Sequence, residues 1–385
     1  MLSRFAQRQT SSLHPFPSVP RSPAVHVPKH FHSPFRLAFR LLRSREKEAY
    51  HAMATAAGGL LASPIDWMLR PLEARLYRNA PQPQSPILIV VGPPRSGTTL
   101  VVQTLIRYLR CNYFNNLTSL FPRAPITANR LLPRSLRPEQ VTTRSFYGRT
   151  ATLAGHNDGL HLWDRWLGSD RTEPVREISE NKKDEMRRFF GAFQAQFPGP
   201  LVIKNNNLNV CAGLIGEILP TAHFVCLSRD HDDLTHSLLV ARNTIHGDQK
   251  VPYGLGPAGF EKLHPLESIK AQIAFLEEQA QAQQDLLGPQ RFWPISYEDF
   301  CSQPAQWTRT IANRLGILLP HGACQDLKPF KRRRHLSISS PSVRPGPSAG
   351  LFEATTHSRR VRGQAKVQGT GSNRVLPDTQ AKPDR

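Results

Sequence analysis

The segment Gly92-Pro-Pro-Arg-Ser-Gly-Thr-Thr99 has the residues needed to hold a phosphate or a group shaped like one. Glycine lets backbone N–H groups turn inward, and a helix starting at Thr98 would add its free first-turn amides and the positive end of its dipole. A loop that hydrolyses ATP would read G-x-x-x-x-G-K-[ST], with the lysine on the β- and γ-phosphates and the hydroxyl on Mg²⁺. Here Thr98 occupies the lysine position and the fixed cation, Arg95, lies inside the loop. That pattern suits an anion held by Ser96, Thr98, Thr99, the backbone from Gly97 onward and an arginine fork, with no metal required.

Three other chemistry-bearing residues fall at or just beyond apolar runs. Lys204 ends Leu201-Val-Ile-Lys204, Arg229 follows His223–Leu227, and Tyr297 follows Arg291–Ser296. Apolar, β-branched runs of this length read as strands buried on both faces, as does Ile87–Val91 ahead of the loop. Between them lie helical patterns: Thr98–Arg110, His161–Leu167, Asn181–Phe197, Asn209–Leu219, Asp232–Asn243, Pro265–Leu287 and Ala305–Leu315. On Asp232–Asn243, Leu234, Leu238, Val240 and Ala241 are expected to cover the sheet. Residues 111–150, with Pro122, Pro125, Pro133 and Pro138, form a loop-rich insertion of the kind that lines an acceptor mouth. Alternating strands and helices predict an α/β fold, a P-loop-containing, doubly wound, mostly parallel sheet flanked by helices. Ligands collect at the carboxyl ends of such strands. Arg95, Lys204, Arg229 and Tyr297 are therefore expected at one sheet edge.

Pro94-Arg-Ser-Gly-Thr-Thr-Leu100 resembles the 5′-phosphosulfate loop of sulfotransferases that use 3′-phosphoadenosine 5′-phosphosulfate (PAPS). Two further segments resemble the same family in the same order. One is the arginine-serine pair Arg229 and Ser237, eight residues apart, and the other is Ile295-Ser-Tyr-Glu-Asp-Phe300. The likeness, to the bacterial and tyrosylprotein branch, runs from about 86 to 320. It implies transfer of a sulfuryl group from PAPS to a hydroxyl or amine. Arg95, Ser96, Gly97, Thr98 and Thr99 would hold the 5′-phosphosulfate, Arg229 and Ser237 the 3′-phosphate, with Arg242 a weaker candidate, and Tyr297 would lie near adenine. Lys204 would stabilise the transferring group. The family's bases do not carry over. Where cytosolic members follow the lysine with Thr-His, this chain has Asn205-Asn206, and where tyrosylprotein members place a glutamate it has Cys111-Asn-Tyr-Phe-Asn-Asn116. Within Gly155-His-Asn-Asp-Gly159, His156 and Asp158 are the base candidates. The same segment also reads as an Asx-type turn ahead of the helix at 161–167. His231 and His236 read as helix-face residues.

Charge locates the flanks. Of the net +21, residues 1–45 carry +8 without an acid and residues 331–385 carry +9, leaving +4 for the middle, an ordinary balance for an enzyme handling polyanions. Four regions are expected: a basic disordered leader (1–45), a helical extension (46–85), the sulfotransferase domain (86–330) and a basic disordered tail (331–385). Lys331-Arg-Arg-Arg334 could serve the cofactor site or be solvated. The flanks lack the aromatic interleaving of a nucleic-acid binder, so no specific nucleic acid is expected. The apolar part of Ala52–Leu69 is too short to span a bilayer, which leaves packing on the core or peripheral membrane contact. Five widely spaced cysteines argue against disulfides and zinc and for the cytoplasm. The acid-free, Arg- and Ser-rich leader also has the composition of a transit segment. Carbohydrate, lipid, peptide and small phenolic acceptors stay open. So do two other readings, a P-loop kinase-like enzyme and a non-catalytic polyanion- or membrane-binding protein.

Overall fold

The computed structural model describes residues 47–131, 148, 150, 152–169 and 173–331, together with Phe39 and Arg43. The rest of the expected leader, the tail beyond Lys331 with Arg332–Arg334, and Pro133 and Pro138 of the insertion lie outside the described residues. All described residues fall within one compact unit, Met1–Ile338.

Five strands form one sheet in the order β2-β3-β1-β4-β5, every pair parallel. They are β1 (Ile87–Val91), β2 (Asn112–Tyr113), β3 (Leu201–Lys204), β4 (Ala222–Ser228) and β5 (Phe292–Ser296). The uninterrupted apolar runs are explained by burial on both faces. Alternate residues Ile87, Ile89 and Val91 face one layer, and Leu88 and Val90 face the other. The first layer is built from α5 (Leu160–Leu167), α6 (Glu180–Gln196) and α7 (Ala212–Ile218), with Trp166, Phe189 and Phe190 at its centre. The second is built from α2 (Thr98–Leu109) and α11 (Pro304–Arg314).

The chain leaves central β1, builds β2 and β3 on one side, then returns to place β4 and β5 on the other. That reversal falls at the carboxyl end of β1, where the phosphate loop begins and where doubly wound sheets hold their ligands. The register pairs Val90 with Lys204, Val91 with Cys226 and Ser228 with Ser296, so Gly92, Lys204, Arg229 and Tyr297 arrive along one edge.

The helical extension is a single long helix, α1 (Lys47–Arg78), anchored by two buried carboxylates seven residues apart on one face. Asp66 accepts from the amides of Arg123 (3.1 Å) and Ala124 (3.0 Å). Glu73 accepts from the amides of Ile126 (3.2 Å) and Thr127 (2.8 Å) and from the Thr127 hydroxyl (2.7 Å). These contacts satisfy free donors at and just ahead of the start of α4 (Pro125–Leu131). Burial raises both carboxyls above the ordinary range against the pull of those hydrogen bonds.

Three expectations are corrected. The helix expected over 209–219 is a 3₁₀ turn, Asn206–Val210, followed by α7, because the Asn205 side chain accepts from the Asn207 amide and sets a turn first. Strand β2 has two residues, too few to make a sequence pattern, and its partner β3 defines it. On α8 (His231–His246), Leu234 and Leu238 pack against Ile269 and Ile273 of α9 (Pro265–Leu287) rather than on the sheet, and Val240 is exposed.

Candidate active site

The phosphate loop is held in a shape that only part of its sequence finds easy. Gly92 has φ 138°, and a Cβ there would meet the Leu227 carbonyl oxygen at 2.6 Å. Gly97 has φ 99° and lies against the Tyr297 ring, which a Cβ would overlap. Arg95 takes φ 75°, a left-handed conformation costly for a residue with a side chain. The amide of Ser96 closes a tight turn onto the Pro93 carbonyl at 3.1 Å. Its hydroxyl is buried without a hydrogen-bond partner, an orphaned polar group inside the loop. Asn206 braces the loop from β3's side, accepting from the Thr98 hydroxyl at 3.0 Å.

On the opposite side, Arg229 donates through Nη1 to the Arg95 carbonyl at 2.9 Å and lies over the Tyr297 ring, 4.9 Å from its centroid. Arg95 Nε donates to Ser237 Oγ at 3.2 Å. Arg95, Arg229, Ser237 and Tyr297 thus form one connected patch beside the loop. Burial pushes the Tyr297 phenol up to about 12, so at neutral pH it is a neutral ring and hydrogen-bonding group, not an anion.

The third wall comes from β3 and the segment before α5. Lys204 Nζ is 2.6 Å from Asp158 Oδ2, the lysine side chain 6% exposed and the aspartate 25%. Asp158 Oδ1 is in turn 3.9 Å from Nε2 of His156, whose side chain is fully buried. Burial pushes the His156 imidazole down to about 4, so it is neutral at physiological pH. Gly148 marks where this wall meets the loop: its Cβ direction lies 3.2 Å from Lys204 Nζ and 3.5 Å from Thr99 Oγ1. The Asx turn is present as well, with Asn157 Oδ1 accepting from the Gly159 amide at 2.9 Å. The segment therefore turns the chain into α5 and presents Asp158 to Lys204 in the same five residues.

Arg95, Ser96, Gly97, Thr98, Thr99, Lys204, Arg229, Ser237, Tyr297 and Asp158 come together at the sheet edge, and His156 lies in the core behind Asp158. Arg242 does not join them. It is fully buried on α8 and donates to Ser268 (3.1 Å) and Gln272 (3.2 Å) of α9, a cross-brace between helices. His231 is exposed and 2.8 Å from Glu277 Oε1. Sequence reading missed Asn206 and Gly148. Asn206 could have been found from its place two residues beyond a strand-end lysine, whereas nothing near Gly148 in the sequence points to Lys204. Among the described residues no group of three or more His, Cys, Asp or Glu is arranged to hold a metal.

Several solved structures align: sulfotransferase STF9 from Mycobacterium avium at 16% identity (76% of each chain, TM-score 0.48), STF1 from Mycobacterium tuberculosis at 13% (77% of this chain, 93% of that, TM-score 0.45), and a sulfotransferase from Alicyclobacillus acidocaldarius at 17% (62% and 84%, TM-score 0.34). No curated protein is significantly similar to the chain. The sulfotransferase family model matches residues 86–321, from the foot of β1 to beyond α11 and more than half of the chain. On that span, the chain belongs to the sulfotransferase family.

Proposed function

We propose that this sulfotransferase takes its sulfuryl group from PAPS and delivers it to a hydroxyl acceptor whose proton is removed by Asp158. The observation that carries the reading is the 2.6 Å contact of Asp158 with Lys204 beside the phosphate loop, on a side chain that is 25% exposed and whose Oδ1 is left without a hydrogen-bond partner.

The residues present fit a phosphosulfate donor with a second phosphate. The orphaned Ser96 hydroxyl, Arg95 and the first-turn amides of α2 supply donors at the loop, while Arg229 and Ser237 offer a cation and a hydroxyl for the other phosphate. PAPS bound there would supply an activated sulfuryl group on a phosphate leaving group. Lys204 stabilises the charge that develops on that group, and Asp158 orients the acceptor oxygen and takes its proton as the new oxygen–sulfur bond forms. His156 is too deeply buried to meet an acceptor, and we assign it to positioning Asp158. Five free, buried cysteines support a reducing compartment, and we assign the chain to the cytoplasm.

The experiment is a transfer assay with radiolabelled PAPS against a mixed panel of sugar, lipid, peptide and phenolic acceptors, run on the full chain and on Asp158→Asn. Labelled product from the full chain, with transfer reduced by about 10²–10⁴ in the variant while adenosine 3′,5′-bisphosphate still binds, is the expected result. Undiminished transfer by the variant would remove Asp158 from the role of base.

A further inference from the structure

The outward side of α1 carries six large apolar residues that the core does not use: Leu60, Leu61, Ile65, Trp67, Met68 and Leu72. Leu61 is 82% exposed, Met68 70% and Trp67 65%, far more than a helix docked on its own domain leaves open. At 3.6 residues per turn the six lie on one continuous arc of about 160°. Arg75 and Arg78, both exposed, extend the same side toward the helix end. Within α1 the acidic residues are Glu48, Asp66 and Glu73, all three outside that arc at 3.6 residues per turn, and Asp66 and Glu73 are buried against the core. This face is therefore apolar and cationic with no negative charge. Upstream, residues 1–45 add eight basic residues and no acid, Arg43 among them exposed.

From this we infer that α1 docks the protein on an anionic phospholipid surface, lying in the plane of the interface with Trp67 and the leucines among the acyl chains and the arginines at the headgroups. Among the described residues no helix is long and apolar enough to cross a membrane, which is compatible with lying on one. Charge decides against the two occupants the chain could itself supply. A second copy would set Arg75, Arg78 and the +8 leader against their own duplicates, and the tail beyond residue 330 carries +9. A negatively charged bilayer complements all of them. The inference is independent of the donor and base assignments, since α1 lies outside the matched residues 86–321.

The test is co-sedimentation of the full chain with vesicles of phosphatidylcholine alone or mixed with phosphatidylserine, together with its mass in solution by light scattering. Binding to the mixed vesicles is expected. It should be weakened at least roughly tenfold by Leu61→Ser with Met68→Ser, because two exposed apolar side chains are lost at the contact. Arg75→Glu with Arg78→Glu should reduce the preference for phosphatidylserine, the leader's eight cations supplying the remainder. Both pairs alter exposed side chains, so melting should be unchanged. Failure of the full chain to bind mixed vesicles would overturn the inference. So would binding that persists undiminished in the Leu61/Met68 variant, which would assign it to the leader alone, or a dimer that the same variant dissolves.

Discussion

Lys204 Nζ and Asp158 Oδ2 meet at 2.6 Å across 46 residues of sequence, joining the end of strand β3 to a loop carboxylate. Neither side chain is free to relax into water without leaving the other poorly compensated, since the lysine is almost wholly buried. What the pair contributes to the fold is measured by a double-mutant cycle. Asp158→Asn and Lys204→Met should each destabilise the fold, while the double variant should lose less than their sum, with a coupling of roughly 1–3 kcal/mol in urea unfolding. Simple additivity would show that the contact contributes nothing to stability.

Arg229 is predicted to discriminate nucleotides. Its guanidinium lies on Tyr297 and holds the Arg95 carbonyl, at the patch assigned to the 3′-phosphate. Arg229→Ala should cost adenosine 3′,5′-bisphosphate about 1.5–3 kcal/mol of affinity and AMP much less, measured by calorimetry. Equal losses would mean that the arginine acts only by supporting the loop.

Gly97→Ala should abolish binding of the bisphosphate. The new Cβ would occupy the space of the Tyr297 ring and would have to adopt φ near 99°. The variant Gly97→Ala with Tyr297→Ala removes the overlap but not the backbone strain, so it should recover stability by roughly 1 kcal/mol or more without restoring full affinity. Recovery of affinity as well would show that the ring does not take part in binding.

His156 predicts an acid limb in stability. In the unfolded chain its imidazole titrates near 6.5, and in the fold burial holds it down to about 4. The unfolded state binds more protons between those values, so the stabilisation is complete above about pH 6.5 and is lost as pH falls toward 4. The loss should approach ~3 kcal/mol, at about 1.4 kcal/mol per pH unit. Denaturant midpoints measured from pH 7 to 4 should fall along this limb, and His156→Gln should flatten it. An unchanged limb in the variant would assign the pH dependence to other groups.

The sequence alone determined four of the five strands, the glycine-bounded loop after β1 and its cations, because their signals are local. A strand buried on both faces must be apolar throughout, as Ile87–Val91 is, and a loop that wraps an anion needs Gly92 and Gly97 at fixed spacing. Parallel strands in a doubly wound sheet then bring residues just past their ends to one edge, which is why the sequence pattern alone groups Lys204, Arg229 and Tyr297. The burial of α1's carboxylates and the working partner of Lys204 were not legible. Nothing local marks Asp66 and Glu73 for burial; the amides of residues 123–127, far along the chain, meet them only in the fold. Asp158 and His156 are two residues apart and equally plausible as bases by composition. Only the tertiary structure turns one toward Lys204 and seals the other in the core, because burial is set by what packs from distant parts of the chain and leaves no local pattern.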